Sequence, residues 1–364
     1  MHNRHDNGQP LSVGSLFSGY GGLDLAVEHT LNAETIWFSE NNPHVARIFA
    51  HHWPGIPNLG DITTIDWRNV DTVDVLCGGF PCQDVSTVGK RAGLAPGTRS
   101  GLWSHMAAAI EVLQPRLVVI ENVRGLLSSP AVHAPVERDN HAQRHQDDTS
   151  REDATLRNLE PDPWVWETSQ LDLSGQPAVL GDLADLGMDA QWIGLPASLV
   201  GAPHLRLRIF IIARHQGDVQ DAARDGLDSR RRVARTSASE ARDDRALASG
   251  HRPGSQRAGW LADQEQRVGH AVVPDRGHLR RWGRYAQAVA EWEQITGRDA
   301  PAPALLIDGA GPRPAPEFVE WLMGLPPGWI TAPAHRLTPN QQITALGNGV
   351  VPLQALTALA LSMT

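Results

Sequence analysis

Two cysteines occur in the chain, at positions 77 and 82, and their surroundings differ. Cys77 sits inside the apolar run Val73 to Cys77 and reads as a small buried hydrophobe. Cys82 lies beyond that run, in the loop Gly78-Gly79-Phe80-Pro81-Cys82-Gln83, ahead of the polar stretch Ser86 to Gly101. A thiol at a loop or helix start can have its pKa lowered from about 8.5, which gives a nucleophilic thiolate. A second chemical group is the carboxylate of Glu121, in Glu121-Asn122-Val123 directly after the apolar run Leu117 to Ile120. At a strand's C-terminal end it could act as an acid or proton donor. A helix N-cap is the bland alternative; Asn122 suits that role and Glu121 does not. The third group is backbone: Phe17-Ser18-Gly19-Tyr20-Gly21-Gly22-Leu23 lies between an apolar run and a helical stretch. Glycine there permits positive φ and close approach to a nucleotide-like ligand. Glu40 follows about 20 residues on, where an acidic residue would take ribose hydroxyls. With Asp61 after a third short segment, an adenosine-containing ligand is favoured over a tight turn alone. The spacing leaves NAD and S-adenosylmethionine both open.

These groups need a scaffold that brings them to one edge. Leu11 to Phe17, Thr35 to Phe38, Val73 to Cys77, Leu117 to Ile120 and Ile209 to Ala213 are short, mainly apolar segments that read as strands, the last two continuously apolar. Separated by helical stretches, they predict an α/β fold, a mainly parallel sheet covered by helices on both faces. Polar residues just past the strand ends place the ligand edge at their C-terminal side. Pro352 to Leu361 predicts a closing apolar helix, and Trp282 to Trp292 a further helix. Residues 128 to 175 and 215 to 280 are polar and weakly periodic, and the first reads as a surface insertion. The Pro-rich stretches 301 to 316 and 326 to 333 read as linkers.

The chain of 364 residues is long enough for a large domain and a smaller one. Its short apolar runs predict no membrane span, and Met1 to Pro10 lacks the apolar core of a signal peptide. Two cysteines in one segment form neither a disulfide framework nor a metal-ligand set, so a reducing, cytoplasmic setting and no metal are expected. The net charge of -9 argues against nucleic acid as a partner at first. Residues 215 to 300, however, carry 15 Arg against 13 Asp and Glu, which leaves the remainder at -11. Local positive charge is what a DNA-binding face requires. Lys90 is the sole lysine; a GC-rich coding bias is the plainer cause, although arginine is also the better reader of guanine edges.

Taken in order, these motifs resemble the bacterial and phage cytosine-5 DNA methyltransferases. The resemblance rests on the Phe-x-Gly-x-Gly-Gly turn, Pro81-Cys82-Gln83, Ser100-Gly101-Leu102-Trp103 and Glu121-Asn122-Val123. It continues in Arg206-x-Arg208, the stretch Glu317 to Gly328, and Gly347-Asn348-Gly349-Val350-Val351-Pro352. It covers roughly 11 to 125, 180 to 213 and 315 to 360. His204 stands where the family commonly has Gln, and the 128 to 175 insertion is longer than usual.

The resemblance implies a Rossmann-like S-adenosylmethionine-dependent methyltransferase fold. Residues 1–214 and 334–364 would form the catalytic domain, and 215–333 a smaller irregular target-recognition domain, with base reading within 215 to 315. It implies transfer of a methyl group to C5 of a flipped-out cytosine in double-stranded DNA. Cys82 would be the nucleophile, Glu121 the group holding N3 and the exocyclic amine, and Arg208, supported by Arg206, the group binding O2. Phe17, Gly19, Gly21, Gly22, Leu23, Glu40, Asn41, Asp61, Ile62, Gly79, Pro81, Leu102, Asn348 and Val350 would bind the cofactor. The loop Gln83 to Ser100, with Lys90 and Arg91, would close over the DNA. A monomer, with a cognate restriction endonuclease as a partner in the same system, fits the family.

Three rival readings remain. An RNA cytosine-5 methyltransferase shares the fold, but the large variable segment 215 to 315 favours a DNA reader. A catalytically silent DNA-binding relative would not need Cys82, Glu121 and Arg208 together. An NAD-dependent oxidoreductase rests on the glycine turn alone. The Asp-Pro-Pro-Tyr loop of adenine amino-methyltransferases has only a superficial counterpart, Asp162-Pro163-Trp164, off any strand end.

Overall fold

The computed structural model describes residues 10–81, 101–123, 126, 178–215, 259–269, 277–307 and 311–363. Six strands form one sheet: β1 (Leu11–Leu16), β2 (Ala33–Ser39), β3 (Val75–Gly78), β4 (Leu117–Asn122), β5 (Met188–Pro196) and β6 (Leu207–His215). Their spatial order is β2-β1-β3-β4-β6-β5. The pairings β1–β2, β1–β3 and β3–β4 are parallel, while β4–β6 and β5–β6 are antiparallel. The expected parallel sheet is therefore present with an antiparallel edge.

The absence of alternation in the central strands has a simple cause. Successive side chains point to opposite faces, and both faces here are buried. Val75, Cys77, Val119, Phe210 and Ile212 belong to one core cluster; Leu76, Val118, Ile120, Ile209 and Ile211 belong to the other. Helix α1 (Gly22–Leu31) and the C-terminal helix α9 (Pro352–Met363) cover the first face. Helices α3 (Leu102–Leu113) and α4 (Ala178–Asp185) cover the second.

Several elements differ from the sequence reading. Glu121 and Asn122 are the last residues of β4, not residues beyond it. Strand β5 is an edge strand mixing polar and apolar residues (Met-Asp-Ala-Gln-Trp-Ile-Gly-Leu-Pro), and a search for continuous apolar runs misses it. The stretch 301 to 316 is no linker: β7 (Ala304–Ile307) and β8 (Gly311–Pro314) pair antiparallel. In a two-stranded ribbon both strands are edges, where proline is tolerated. The helix expected over Trp282 to Trp292 begins only at Ala286, as α6 (Ala286–Thr296). Ahead of it Gly283, at φ 52°, breaks a 3-10 segment from Gly277 to Tyr285. The insertion at 128 to 175 and most of 215 to 280 lie outside the described residues.

Helix α8 (Pro339–Asn348) and α9 together form a stretch whose length and composition would suffice to cross a membrane. Yet 61% of its most apolar window is buried within the protein, and Gly349 to Val351 separate the two helices. That is the burial of a core element. From the C-terminal half, Leu261, Trp292, Trp321 and Ile330 share one buried cluster with Leu25 of α1 and Leu353 of α9.

Candidate active site

The chain leaves β1 toward β2 on one side and returns to β3 on the other, which opens a crevice at the C-terminal ends of β1 and β3. A pocket occupies that crevice. Of the residues named from sequence, Phe17, Gly19, Gly22, Leu23, Gly79, Glu121, Asn348 and Val350 line it; Ser15, Leu16, Ser18, Tyr20, Asp24, Gly78 and Gly349 complete the wall.

The glycine turn takes its shape from left-handed residues, with Phe17 at φ 52°, Gly19 at 57° and Gly21 at 85°. Phe17 has a side chain there, at a cost of order ~1 kcal/mol, and its amide donates to the Ser39 carbonyl at 2.9 Å. Gly21 faces away from the pocket: a Cβ on it would lie 2.3 Å from the Trp53 ring. Gly22 is required for a different reason, since its Cβ would sit 2.4 Å from the Val350 carbonyl oxygen. Gly349 packs so tightly on Tyr20 that a Cβ would fall 1.8 Å from the ring. The Tyr20 hydroxyl donates to the Val350 carbonyl at 2.6 Å, and burial pushes its pKa up, which keeps it a donor. Trp329 Nε1 donates to the Tyr20 carbonyl at 3.0 Å. The glycine turn and the segment Asn348 to Val350 thus face each other as one wall.

Glu40, Asn41, Asp61, Ile62, Pro81 and Leu102, also expected from the sequence to bind the cofactor, do not line this pocket. Glu40 accepts from the Gly19 amide at 3.1 Å and from the Asn42 amide at 2.9 Å, and burial raises its pKa. Asp61 caps a short 3-10 turn by accepting from the Thr63 amide and hydroxyl, both at 2.9 Å. These bonds lower its pKa, with smaller contributions from His105 and from a hydrogen bond to Asn41. Ile62 is buried beside Trp37 and Trp103, Leu102 packs against that cluster, and Pro81 is exposed.

Glu121 enters the pocket from the adjacent strand. Gly79 lies so close that a Cβ on it would be 2.8 Å from Glu121 Oε2. Arg208 Nε sits 2.8 Å from Glu121 Oε1, with the side chains 16% and 9% exposed. The antiparallel direction of β6 brings this about. Glu121 pairs with Phe210 across the ladder, so Arg208, near the start of β6, lies beside the C-terminal end of β4. Burial raises the Glu121 pKa, and Arg208 and then Arg206 oppose the rise. A carboxyl held in this balance suits proton donation to a ring nitrogen. Arg206 turns elsewhere: its Nη2 donates to the carbonyls of Gly347, at 2.9 Å, and Gly349. His204 Nε2 donates to the Leu322 carbonyl at 3.0 Å, and burial lowers its pKa. Asn122 bridges strand ends, donating to the Phe80 carbonyl at 3.0 Å. Cys82 lies outside the described residues. Cys77 is fully buried, and burial followed by the Asp24 charge pushes its thiol well up, which makes it a poor nucleophile.

Asp24 escaped the sequence reading. It is 1% exposed on a helix whose positions Gly22 to Glu28 are all buried, and burial raises its pKa to about 7 against the opposing bond from Ser15. The readable trace was two acids four apart, Asp24 and Glu28, in an otherwise apolar helix. Glu28 is met by the Thr35 amide and hydroxyl and by Trp53 Nε1. For Asp24 the folded state keeps a proton that the unfolded state has already lost. Stability is therefore expected to fall as pH rises from about 4 to about 7, by at most ~1.4 kcal/mol per pH unit. Asp24→Asn should flatten that decline in urea melts between pH 5 and pH 8. Parallel native and variant curves would show that Asp24 does not titrate there.

Crevice, glycine turn and buried carboxylate–arginine pair thus meet at one edge of a Rossmann-like sheet. Residues 11–134 match the family model described as C-5 cytosine-specific DNA methylase. The match supports the resemblance drawn from the motifs over that segment. Type II methyltransferase M.NgoFVII of Neisseria gonorrhoeae is 36% identical over 117 residues, 32% of this chain and 31% of that protein. DNA N-6-adenine-methyltransferase of Escherichia phage P1 is 36% identical over 131 residues, 33% of this chain and 17% of that protein. The match thus spans about a third or less of these relatives' length. Among solved structures, the S. pombe Dnmt2 methyltransferase aligns with a TM-score of 0.51 at 15% identity, over 97% of this chain and 99% of that one. That likeness concerns the fold.

Proposed function

We propose that the chain is a DNA cytosine-5 methyltransferase that acts on a flipped-out cytosine within a specific duplex site. The observation that carries this reading is the Glu121–Arg208 pair, set on the rim of the glycine-turn pocket beside the strand end that leads into Cys82. S-adenosylmethionine is the cofactor this reading assigns to the pocket. The glycine turn brings main chain to the pocket wall, and Glu40, which accepts from the Gly19 amide, stands where it can take a ribose hydroxyl. When bound there, the cofactor supplies an electrophilic methyl group on a sulfonium.

Cytosine C5 is a poor nucleophile, and the remaining work falls to the chain. The Cys82 thiolate adds to C6, and the electron pair of the C5–C6 bond becomes available at C5. Glu121 delivers its proton to N3 and holds the exocyclic amine. Arg208 neutralises the charge developing at O2 and, through its ion pair, keeps Glu121 oriented. After C5 has gained the methyl group, a base removes the C5 proton, the double bond re-forms, the Cys82 thiolate leaves and N3 returns its proton to Glu121. A stacked base admits none of these approaches, so the nucleotide must leave the helix. Residues 215–333 serve as the recognition domain, with base reading within 215 to 315. A cytoplasmic monomer, in a system with a cognate restriction endonuclease, completes the proposal.

Bisulfite sequencing of DNA from cells expressing the chain tests activity and target together. Protected cytosines within one short recurring site are expected. Full conversion in active preparations, methylation of adenine N6, or methylation of tRNA with duplex DNA untouched would overturn the reading.

A further inference from the structure

Gln354 is fully buried in the first turn of α9, yet nothing in the reaction uses it. Its side chain donates through Nε2 to two backbone carbonyls, those of Leu195 and, at 2.9 Å, of Arg206. Both acceptors are carbonyls, so only the NH2 end of the amide can face them. Leu195, the last residue but one of β5, pairs with Arg208, and Arg206 immediately precedes β6. Gln354 therefore clamps the connected end of the β5–β6 pair, where residues 197–206 join the two strands. The reverse contact comes from Arg206, whose Nη2 donates to the Gly347 and Gly349 carbonyls. Those residues lie just ahead of the helix that carries Gln354. Two segments are thus tied twice, once in each direction: the Arg206 backbone by Gln354, the 347–349 turn by Arg206.

What the double tie holds is the pocket wall. Asn348, Gly349 and Val350 line the pocket, whereas Arg206 and Gln354 do not. Gly349 lies against the Tyr20 ring, and the Val350 carbonyl takes the Tyr20 hydroxyl and almost touches Gly22. A small shift of this turn would close or open the pocket opposite the glycine turn. The Gln354 Oε1 is buried without a hydrogen-bond partner, as is Arg206 Nε, so what these side chains contribute here lies in the carbonyls their other nitrogens hold.

We infer that Arg206 and Gln354 form a reciprocal latch that positions the Asn348–Val350 wall of the cofactor pocket, and that Arg206 serves the cofactor side and not the target base. This rests on the pocket being the cofactor site. Arg206 and Gln354 are accordingly positioning residues, and Arg208 alone of the two arginines faces the substrate side through Glu121.

Titration calorimetry with S-adenosylhomocysteine tests the latch, with duplex DNA affinity by anisotropy and thermal melting in parallel. Gln354→Leu and Arg206→Leu are each expected to weaken S-adenosylhomocysteine binding about tenfold. In turnover, the KM for S-adenosylmethionine should rise by a similar factor with DNA affinity unchanged. Because either change opens the same latch, the double variant should bind hardly more weakly than the single ones. Arg206→Lys, which can reach one of the two carbonyls, should recover part of the loss. Should Gln354→Leu fail to fold, the two Arg206 variants decide the matter through the same split. A lowered melting temperature with unchanged S-adenosylhomocysteine affinity would reduce the contacts to structural support and overturn the inference. Weakened DNA binding in Arg206→Leu with intact cofactor binding would return Arg206 to the substrate. A native chain that binds no S-adenosylhomocysteine would overturn the cofactor reading itself, and the latch with it.

Discussion

Duplex DNA with 5-fluorocytosine at the target position is expected to remain attached to the native chain through denaturing electrophoresis, and Cys82→Ala to capture none. The argument is chemical. Addition of a thiolate to C6 reverses freely before methyl transfer, but after it the thiolate leaves only as C5 loses its proton. Fluorine in place of that proton blocks the elimination, and the thioether persists. Trapping should therefore depend on S-adenosylmethionine, since without methyl transfer the initial addition reverses. Cys77→Ala should trap normally, because Cys77 is fully buried and its thiol is held protonated. Adduct formation by Cys82→Ala, or its dependence on Cys77, would identify the wrong nucleophile.

Glu121→Gln is expected to slow turnover by about 10²–10⁴-fold, the usual worth of a positioned proton donor, with duplex binding retained. The side chain is nearly enclosed, between the Gly79 backbone and the Arg208 guanidinium, and an amide fills that space with little displacement. What the amide lacks is the proton for N3. The substitution also leaves Arg208 beside a neutral group, which weakens its orientation without removing its charge. Single-turnover kinetics with saturating DNA separate the two effects. Turnover within a few-fold of native would exclude Glu121 as the donor, and loss of DNA binding would give it a different task.

The central part of the fold was legible because its strands are buried on both faces and so read as mainly apolar runs, unbroken at Leu117 to Ile120 and Ile209 to Ala213. The same criterion failed at β5, an edge strand in which Asp189 and Gln191 interrupt the pattern. It failed again at β7 and β8, where Pro312 and Pro314 looked like linker residues but occupy edge positions that need no ladder amide. In the site, local motifs announced Phe17 to Leu23, Glu121 and Asn348 to Val350, because glycine spacing and strand ends are sequence-local properties. Contacts made across the chain left no such trace. Nothing near Gln354 announces that its amide meets Leu195 and Arg206, and nothing near Arg206 announces Gly347 and Gly349. Gly21 shows the converse: it belongs to the motif, yet its missing side chain makes room for Trp53 and not for a ligand.

The antiparallel entry of β6 has a bearing on how freely the chain can be lengthened. Glu121 ends one strand and Arg208 begins its neighbour, so their meeting is fixed by the ladder in which Glu121 opposes Phe210. The connection from the end of β4 to the start of α4 takes no part in that ladder. A tether's entropic cost grows with the logarithm of its length, about 0.6 kcal/mol per doubling. Cargo of very different size can therefore be inserted between the end of β4 and the start of α4 without moving the acid from its arginine. The polar stretch 128 to 175 falls in the sequence between β4 and α4, a connection whose length does not enter the pairing that joins the acid to its arginine.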